Sequence, residues 1–413
     1  MLESRRIAKM VAAGANARPR ARTQGRTQLR GTSLSPLTRM TLDDIRNEFP
    51  ILGRRNYLNS CSLGALSHRA EGRLTDFVAK WHDFGASAWY EHWWSALGEL
   101  RGRVEDLFGA PSGTVALMPS TSACLAAVSS SLDWSKRNRI VTTELDFPTL
   151  LYQWKVRPDA EMVVLRSHDG VHIDPQQYAD TVDERTLAIA TSHVFFTTGA
   201  IQDLAAIAEI ARRAGAYSLI DGYQGAGQVP VDLPVTGVDF HTSGPLKWLC
   251  GGPGLAYLYV RDDLIPSLEP TITSWFATED QFLFNPGDFR YHRDARRFEL
   301  GTPALATVHT ALGGQEIVDE VGMARIHAQN VALTERLVER CTASGVSLRV
   351  SDRPEKRSAI VLVRHDDPGS AVAHLAERGI IVDNRPGVVR ASPHFYNTLD
   401  EVDEFVEALG ETV

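Results

Sequence analysis

Residues 217–227 read YSLIDGYQGAG, a short apolar run that ends in an acid, an amide and three glycines. The run Tyr217–Ile220 has the pattern of a buried β-strand. Asp221 and Gln224 follow at its carboxyl end, where the parallel strands of an α/β protein present ligand sites. This stretch therefore predicts a parallel sheet with a polar site at its carboxyl edge.

A second distinctive stretch follows the next candidate strand, Val238–His241, and reads TSGPLKWLCGGPG over residues 242–254. Lys247 stands there among apolar neighbours, and partial desolvation would lower the pKa of its amine. Such an amine suits Schiff-base chemistry with a carbonyl group. A surface lysine whose stem lies along apolar residues is the alternative that this fragment alone leaves open.

Short apolar runs alternate with amphipathic stretches along most of the chain, which is typical of an α/β fold. The remaining candidate strands are Thr114–Met118, Arg139–Thr143, Met162–Leu165, Leu187–Ser192 and Leu255–Val260. Helical patterns at Ser120–Ser131 and Leu204–Ala214 separate some of them. We therefore predict a mostly parallel, seven-stranded sheet in a large domain of residues 70–295.

The pattern changes after Pro303, where a long helical stretch runs to Ala343. Short strands and helices then alternate, with strands at Ser347–Val350, Ala359–Val363 and Val388–Ala391 and helices at 368–377 and 400–409. This arrangement predicts a smaller α+β domain made of residues 296–413 together with residues 40–69.

The charge of the chain is divided unevenly. Residues 1–39 carry eight Arg and Lys9 against the single acid Glu3, a balance of +8, whereas the remainder carries −16. An acidic body argues against nucleic acid as the main partner, because phosphate binding needs clustered Lys and Arg. We predict that the basic tail is disordered and that Thr41 caps the first helix.

Composition excludes two further classes of protein. With 43% hydrophobic and 23% charged residues the chain is typical of a globular protein, and it has no tract of about 18 uncharged apolar residues that would span a membrane. Its four cysteines are far apart and lack the paired spacing of a metal site. We predict reduced thiols, no metal and a cytoplasmic location.

Asp221, Gln224, Ser243 and Lys247, at these spacings, resemble the pyridoxal-phosphate site of the fold-type I, class V aminotransferase superfamily, which includes kynureninases, cysteine desulfurases and isopenicillin epimerase-like proteins. The resemblance covers nearly everything after Met40. It extends, in order along the chain, to Tyr57–Gly64, Asp146–Thr149, Ser192–Val194 with Thr198–Gly199, Arg297–Pro303 and Val389–Thr398.

The resemblance implies roles toward the cofactor. Lys247 would hold pyridoxal phosphate as a Schiff base and then move the substrate's α-proton, while Asp221 would keep the pyridine nitrogen protonated. Gln224 would hydrogen-bond the ring oxygen, and Phe147 would stack on the ring. The phosphate-binding hydroxyls would be those of Thr121, Ser122 and Ser243. Thr121 and Ser122 would alternatively be helix caps.

The resemblance also implies roles toward the substrate and a second subunit. Arg390 would bind the substrate carboxylate, for which a two-pronged donor is well shaped, with Arg385 as a weaker candidate for that task. His193 would contact cofactor or substrate, or be a structural histidine. Thr302 would reach the phosphate of the neighbouring subunit's cofactor, which implies a homodimer with shared active sites.

Two aromatic segments have open roles. The tryptophans and tyrosine between Ala70 and Leu107 indicate core or a subunit interface. The segment Trp275–Tyr291 either faces the substrate or belongs to the core.

Cysteine desulfurases carry a persulfide-forming cysteine shortly before the carboxylate-binding arginine, and residues 376–389 contain none. Cys61 and Cys250 are better explained as buried, inert thiols. We therefore favour a lyase that acts on an L-amino acid, by carbon–sulfur β-elimination or by kynureninase-like Cβ–Cγ cleavage. The alternatives are an aminotransferase or epimerase of a specialised pathway such as secondary metabolism, and a catalytically silent or regulatory relative.

Overall fold

The computed structural model describes residues 40–412, so the predicted basic tail 1–39 lies outside the described residues. At its centre is a mixed sheet of seven strands in the order β2-β8-β7-β6-β5-β3-β4. The strands are β2 (Val115–Met118), β3 (Arg139–Thr143), β4 (Glu161–Leu165), β5 (Thr186–Ser192), β6 (Tyr217–Asp221), β7 (Phe240–Ser243) and β8 (Ala256–Val260). All pairs are parallel except those that β8 makes with its two neighbours. The predicted mostly parallel, seven-stranded sheet is confirmed.

The strand register places three polar residues side by side. Ser192 of β5 pairs with Asp221 of β6, which pairs in turn with Thr242 of β7. These strands are parallel, so their carboxyl ends meet at one edge of the sheet. The polar edge predicted from the sequence is therefore a row of neighbouring residues on three adjacent strands.

Some helices cover this sheet: the helix Thr121–Ser131 contacts β2, β7 and β8, and Leu204–Arg213 contacts β5 and β6. The helices of residues 42–343 are α1 (Leu42–Asn47), α2 (His68–Phe84), α3 (Trp94–Leu107), α4 (Thr121–Ser131), α5 (Pro148–Lys155), α6 (Pro175–Thr181), α7 (Leu204–Arg213), α8 (Leu233–Thr236), α9 (Leu305–Val321) and α10 (Met323–Ala343). Thr41 caps α1 as predicted, because its side chain accepts from the Asp44 amide in a capping box.

Several predicted boundaries differ from the structure by one or two residues, and two of the differences have clear local reasons. Strand β7 begins at Phe240 instead of Val238, because the Asp239 carboxylate accepts the Ser218 amide in place of a strand–strand bond. The single helical stretch predicted to Ala343 is two helices, since Gly322 between them has a positive φ of 82°. Glycine adopts that conformation without a steric cost.

The C-terminal part forms a three-stranded antiparallel sheet in the order β11-β12-β9 and a short parallel pair, β1 with β10. Its elements are β1 (Asn56–Tyr57), β9 (Val361–Arg364), α11 (Pro368–Glu377), β10 (Ile380–Ile381), β11 (Asp383–Arg385), β12 (Val388–Ala391) and α12 (Leu399–Gly410). The strand predicted at Ser347–Val350 is wrong, because only Leu348 makes a single bridge there. The division into a large and a small domain stays a prediction.

The aromatic residues between Ala70 and Leu107 surround a π-helical turn at Trp89–Trp93. Trp93 is buried, whereas Trp81 and Tyr90 are exposed. The segment therefore contributes both to the core and to an apolar surface. Over residues 40–412 no helix is long and apolar enough to cross a membrane.

Candidate active site

A cavity of about 380 Å³ opens at the carboxyl edge of the central sheet. Its wall brings together six of the residues singled out from the sequence, namely Thr121, Ser122, Phe147, Asp221, Gln224 and Lys247. They come from distant parts of the chain and meet because the strands that precede most of them end at one edge. Concave sites of this size and mixed character are typical of small-molecule binding.

Lys247 lies partly buried on this wall, and its Nζ is 5.1 Å from the ring centroid of Tyr223 and 6.0 Å from that of Phe147. Burial lowers the pKa of the amine, and the Arg390 and Arg385 charges act in the same direction, against Cys61 and Asp221, which raise it. The amine therefore faces a cavity between two aromatic rings. A surface lysine, the alternative left open by the sequence, does not fit this location.

Asp221 is the last residue of β6 and is buried. One of its carboxylate oxygens accepts the amide of Tyr223 at 2.9 Å, and burial raises the pKa of the carboxyl group. The side chain lines the same cavity as Lys247. A buried carboxylate with an elevated pKa is well suited to share a proton with a basic ring nitrogen.

The aromatic side of the cavity is built by Phe147, which precedes Pro148 at the start of α5. The Phe147 ring packs edge-on against Phe196 at 5.1 Å between centroids. It is 43% exposed and presents this surface on the cavity wall. A planar ligand can therefore lie against the ring.

Asp146, which sequence reasoning assigned no role, fixes the place of Phe147. Its buried carboxylate accepts the amide and hydroxyl of Thr143 and the Thr142 hydroxyl at the end of β3, and the amide and hydroxyl of Ser192 and the Thr191 hydroxyl at the end of β5. The carboxylate thus joins the ends of two strands. Its position in the motif Asp146–Thr149 was the signal that could have revealed it.

The hydroxyl groups near the cavity have different roles, since one caps helix α4 and others have no partner in the described part of the protein. Ser120 is the N-cap of α4, since its side chain accepts the Ala123 amide, so Thr121 and Ser122 do not serve as the cap. Within residues 40–412, the buried hydroxyl oxygens of Thr121 and Ser243 have no hydrogen-bond partner. Buried hydroxyls without partners are costly, which favours a polar ligand at Thr121, the one of the two on the cavity wall.

Gln224 is bonded to the protein through both ends of its amide. Its Nε2 donates to the Cys61 carbonyl at 3.0 Å, and its Oε1 accepts the Trp248 indole N–H at 2.9 Å. It therefore ties the loop around Cys61 to the residue after Lys247. One of its two amide N–H groups is left for a ligand.

His193 is buried and lies outside the cavity wall. Its amide donates to the Asp221 carbonyl, and a Cβ at Gly225 would come within 2.4 Å of its Nδ1. Burial lowers the pKa of His193 to about 4, so the ring is neutral at pH 7. Contact with cofactor or substrate stays a prediction for this residue.

Arg390 lies in a buried cluster beside the cavity, together with two residues that sequence reasoning did not select, Asp383 and Ser62. Its Nε and Nη2 donate to the two carboxylate oxygens of Asp383 at 2.8 and 2.5 Å. The Ser62 hydroxyl donates to Asp383 at 2.5 Å and accepts from Nη2 at 2.9 Å. Nη1 donates to the Phe196 carbonyl at 3.3 Å, and Phe196 itself lines the cavity.

Arg385 completes this cluster at its more exposed side, with Nη1 3.3 Å from an oxygen of Asp383. Arg385, Arg390 and Ser243 are not on the cavity wall of the described chain. Thr302 is exposed and also lies away from it. The segment Trp275–Tyr291 packs through Phe276 and Phe282 against Trp94 and stays outside this wall.

The two cysteines nearest Lys247 in the fold are buried and reduced. Burial raises the pKa of the Cys61 thiol, and it raises that of Cys250 to about 12. Thiols with such pKa values are protonated at neutral pH and unreactive. Among residues 40–412, no group of His, Cys, Asp and Glu is arranged to hold a metal ion.

The loop Asn59–Gly64 packs against the backbone that carries Lys247. The Gly64 amide donates to the Leu246 carbonyl at 2.9 Å, and a Cβ at Gly64 would lie 2.1 Å from the Lys247 carbonyl oxygen. The backbone on either side of Lys247 is thus in direct contact with this loop.

The family model described as "Aminotransferase class-V" matches residues 68–405. Among curated proteins, the chain is 31% identical to an uncharacterized aminotransferase, YcbU, of Bacillus subtilis (strain 168), over 89% of this chain and 97% of that protein. It is 29% identical to a kynureninase of Pseudomonas fluorescens, over 90% of this chain and 92% of the relative.

Among solved structures, the fold is similar to that of a cysteine desulfurase from Thermococcus onnurineus NA1, with a TM-score of 0.81 and 22% identity over 89% of this chain and 97% of the other. This likeness confirms the predicted fold-type I architecture. Together with the family match over residues 68–405, it identifies the chain as a member of the class-V aminotransferase family of pyridoxal-phosphate-dependent enzymes.

Proposed function

We propose that the protein is an enzyme that acts on an L-amino acid with pyridoxal phosphate held by Lys247. The observation that carries this proposal is the meeting of the Lys247 amine, the Asp221 carboxylate and the partnerless Thr121 hydroxyl in one cavity. These groups match an aldehyde, a pyridine nitrogen and a phosphate, so the residues present fit the cofactor. The aromatic face of Phe147 matches its ring.

Bound pyridoxal phosphate supplies an aldehyde that condenses with amines and a ring that accepts electron density from the substrate α-carbon. Asp221 holds a proton at the pyridine nitrogen, and Thr121, Ser122 and Ser243 bind the phosphate through hydroxyl groups. Lys247, with its lowered pKa, moves a proton at the substrate α-carbon. Gln224 orients the ring oxygen with its remaining amide N–H, and Arg390 anchors the substrate carboxylate with support from Arg385.

Within this chemistry we propose a lyase, either a carbon–sulfur β-eliminating enzyme or a Cβ–Cγ cleaving enzyme of the kynureninase type. The kynureninase relative, which aligns over nearly the whole chain, supports this choice. The absence of a cysteine from residues 376–389 argues against sulfur transfer through a persulfide. An aminotransferase is the second candidate, and the aminotransferase relative at 31% identity favours it.

We further propose a homodimer in which Thr302 reaches the cofactor phosphate of the partner subunit. The exposed position of Thr302, outside the cavity of its own chain, is compatible with that role. The cytoplasmic location predicted from the cysteine pattern is kept as part of the same proposal.

The reaction is tested by following the visible absorbance of the cofactor-loaded protein after addition of L-amino acids, among them kynurenine and S-substituted cysteines. Alanine from kynurenine, or a keto acid with ammonia from an S-substituted cysteine, is the expected result for a lyase. Conversion to the pyridoxamine form that lasts until a keto acid is added would establish the aminotransferase instead. Absence of any bound-cofactor band would overturn the proposed function altogether.

The Lys247→Ala variant tests the assignment of the cofactor lysine. We expect turnover to fall by at least about 10³-fold, because proton transfer and nucleophilic catalysis are both lost. Lys155→Ala, which removes an exposed lysine at the end of α5, is the matched control and should retain full turnover. Comparable activity of the two variants would refute the role of Lys247.

A further inference from the structure

The cluster of Arg390, Arg385, Asp383 and Ser62 beside the cavity contains a carboxylate, Asp383, although a site that binds a substrate carboxylate needs only positive charge. Arg390 is fully buried, and its Nε–Nη2 edge is already bound by both oxygens of Asp383. A bidentate contact of this kind is the strongest pairing that a guanidinium makes with a carboxylate. A substrate carboxylate therefore cannot use that edge without displacing Asp383.

The other edge of the guanidinium is bonded more weakly and lies next to Phe196, which lines the cavity. Its Nη1 reaches the Phe196 carbonyl at a long 3.3 Å, and its Nη2 donates to the neutral hydroxyl of Ser62. A hydroxyl or a weakly bonded carbonyl is replaced by an incoming carboxylate far more readily than an ion-paired aspartate. Asp383 thus holds one edge of Arg390 and leaves the other to the ligand.

The charges of the cluster add to one net positive charge, since Asp383 offsets one of the two guanidinium groups, Arg390 and Arg385. Such a site is electrostatically balanced by a single carboxylate. A second carboxylate on the same ligand would find no further cation within this cluster to balance it, and burying it there would be costly.

We infer that Asp383 is a specificity-determining residue that fixes Arg390 and limits the substrate class to amino acids with one carboxylate. This inference rests on the proposed function, in which Arg390 anchors the substrate carboxylate. It adds that aspartate- or glutamate-like side chains are rejected by charge.

The test uses the cofactor-loaded protein and two probes without an amine, butyrate and succinate, which match in carbon number and differ by one carboxylate. Dissociation constants are measured by isothermal titration calorimetry at constant ionic strength. Wild type should bind butyrate more tightly than succinate. Asp383→Asn should shift the ratio toward succinate by at least tenfold, because the asparagine oxygen still accepts from Arg390 but no longer neutralises it.

Asp403→Asn is the matched control, because Asp403 of α12 makes the same two-bond contact with Arg336 of α10. The butyrate-to-succinate ratio of this variant should equal that of wild type. Arg385→Gln lowers the net charge of the cluster, where Asp383→Asn raises it, and it leaves the Arg390–Asp383 ion pair in place. It should weaken binding of both probes by at least tenfold, since the cluster then has no net charge.

An unchanged ratio in Asp383→Asn, with cofactor bound, would overturn the inference and leave the proposed function standing. Weaker binding of both probes in this variant would also overturn it, because Asp383 would then only support Arg390 structurally. Failure of wild type to bind cofactor would contradict the proposed function, which the cofactor absorbance band reports separately.

Discussion

Three histidines packed around the site are buried: His193, His241 and His394. Burial lowers the pKa of His193 to about 4 and that of His241 and His394 to about 3. Neither ring nitrogen of His241 has a hydrogen-bond partner in the described part of the chain. These imidazoles are therefore neutral in the folded protein at neutral pH.

These depressed pKa values predict acid lability. The unfolded histidines bind protons below about pH 6.5, whereas the folded ones do not until about pH 3 to 4, so stability is complete above pH 6.5 and is lost as the pH falls. Each histidine should cost about 1.4 kcal/mol for every pH unit below 6.5 within that window. Denaturant unfolding at several pH values measures the free energy of unfolding.

The variant His241→Leu separates this effect from general acid destabilisation. It removes one titrating group and should flatten the fall in the free energy of unfolding between pH 6 and pH 4.5. A slope equal to that of wild type would contradict the assignment of His241 as a neutral buried group.

At the residue scale, the sequence predicted the cofactor side of the site better than the substrate side. Lys247 and Asp221 could be placed together because residues that follow parallel strands meet at one edge, and the family resemblance added Phe147. Asp383 could not be paired with Arg390 in advance. Their contact depends on the antiparallel register of β11 and β12, in which they are direct partners.

At the scale of elements, the site depends on how closely two loops approach. The loop Asn59–Gly64 contacts the backbone beside Lys247 so tightly that only glycine fits at position 64, since a Cβ would lie 2.1 Å from the Lys247 carbonyl oxygen. The backbone that holds the reactive amine is therefore positioned from outside its own loop.

Gly64→Ala should push the Lys247 loop away. We expect cofactor affinity and turnover each to fall by at least tenfold, with a loss of about 1 to 3 kcal/mol in the free energy of unfolding, as for other overpacked sites. Gly53→Ala is the control, because a Cβ at Gly53 meets nothing within 4 Å. Cofactor titration followed by absorbance compares the two variants, and equal affinities would show that the contact has no influence on Lys247.

Strands of four residues or more were predictable from the sequence, whereas the very short strands were not. Strand β3 was placed at its observed bounds. Strands β1, β10 and β11 are two or three residues long, and no periodic pattern is visible over such a length. Their existence depends on partners from distant parts of the chain.

At the scale of the whole molecule, exposed aromatic residues form a surface that we name the aromatic patch, which consists of Tyr90, Trp275, Phe282 and Phe284. Phe282 contacts Tyr90, Trp275 and Phe284 with ring centroids 6.2 to 6.4 Å apart. Contiguous exposed apolar surface of this kind marks an interaction site. Aromatic residues are also enriched at the cores of interfaces.

We therefore expect sedimentation equilibrium to give twice the 45.5 kDa chain mass. Phe284→Arg, which places a charge in the aromatic patch, should yield the monomer and weaken cofactor binding if Thr302 completes the partner's site. Val235→Arg, at an exposed valine elsewhere, should remain dimeric. A monomeric wild type would contradict both the dimer and the role of Thr302.

Asp146 links the carboxyl ends of β3 and β5, and this link affects how those two strand ends open. Because its one carboxylate is shared by the ends of β3 and β5, the bonds at Thr143 and Ser192 cannot be broken one strand at a time without leaving a buried charge short of donors. We therefore expect local opening at the two strand ends to be cooperative. Phe147 follows Asp146 directly in the chain, and Ser192 pairs with Asp221, so we expect the aromatic ring and the Asp221 carboxylate to keep their spacing while a ligand binds and leaves.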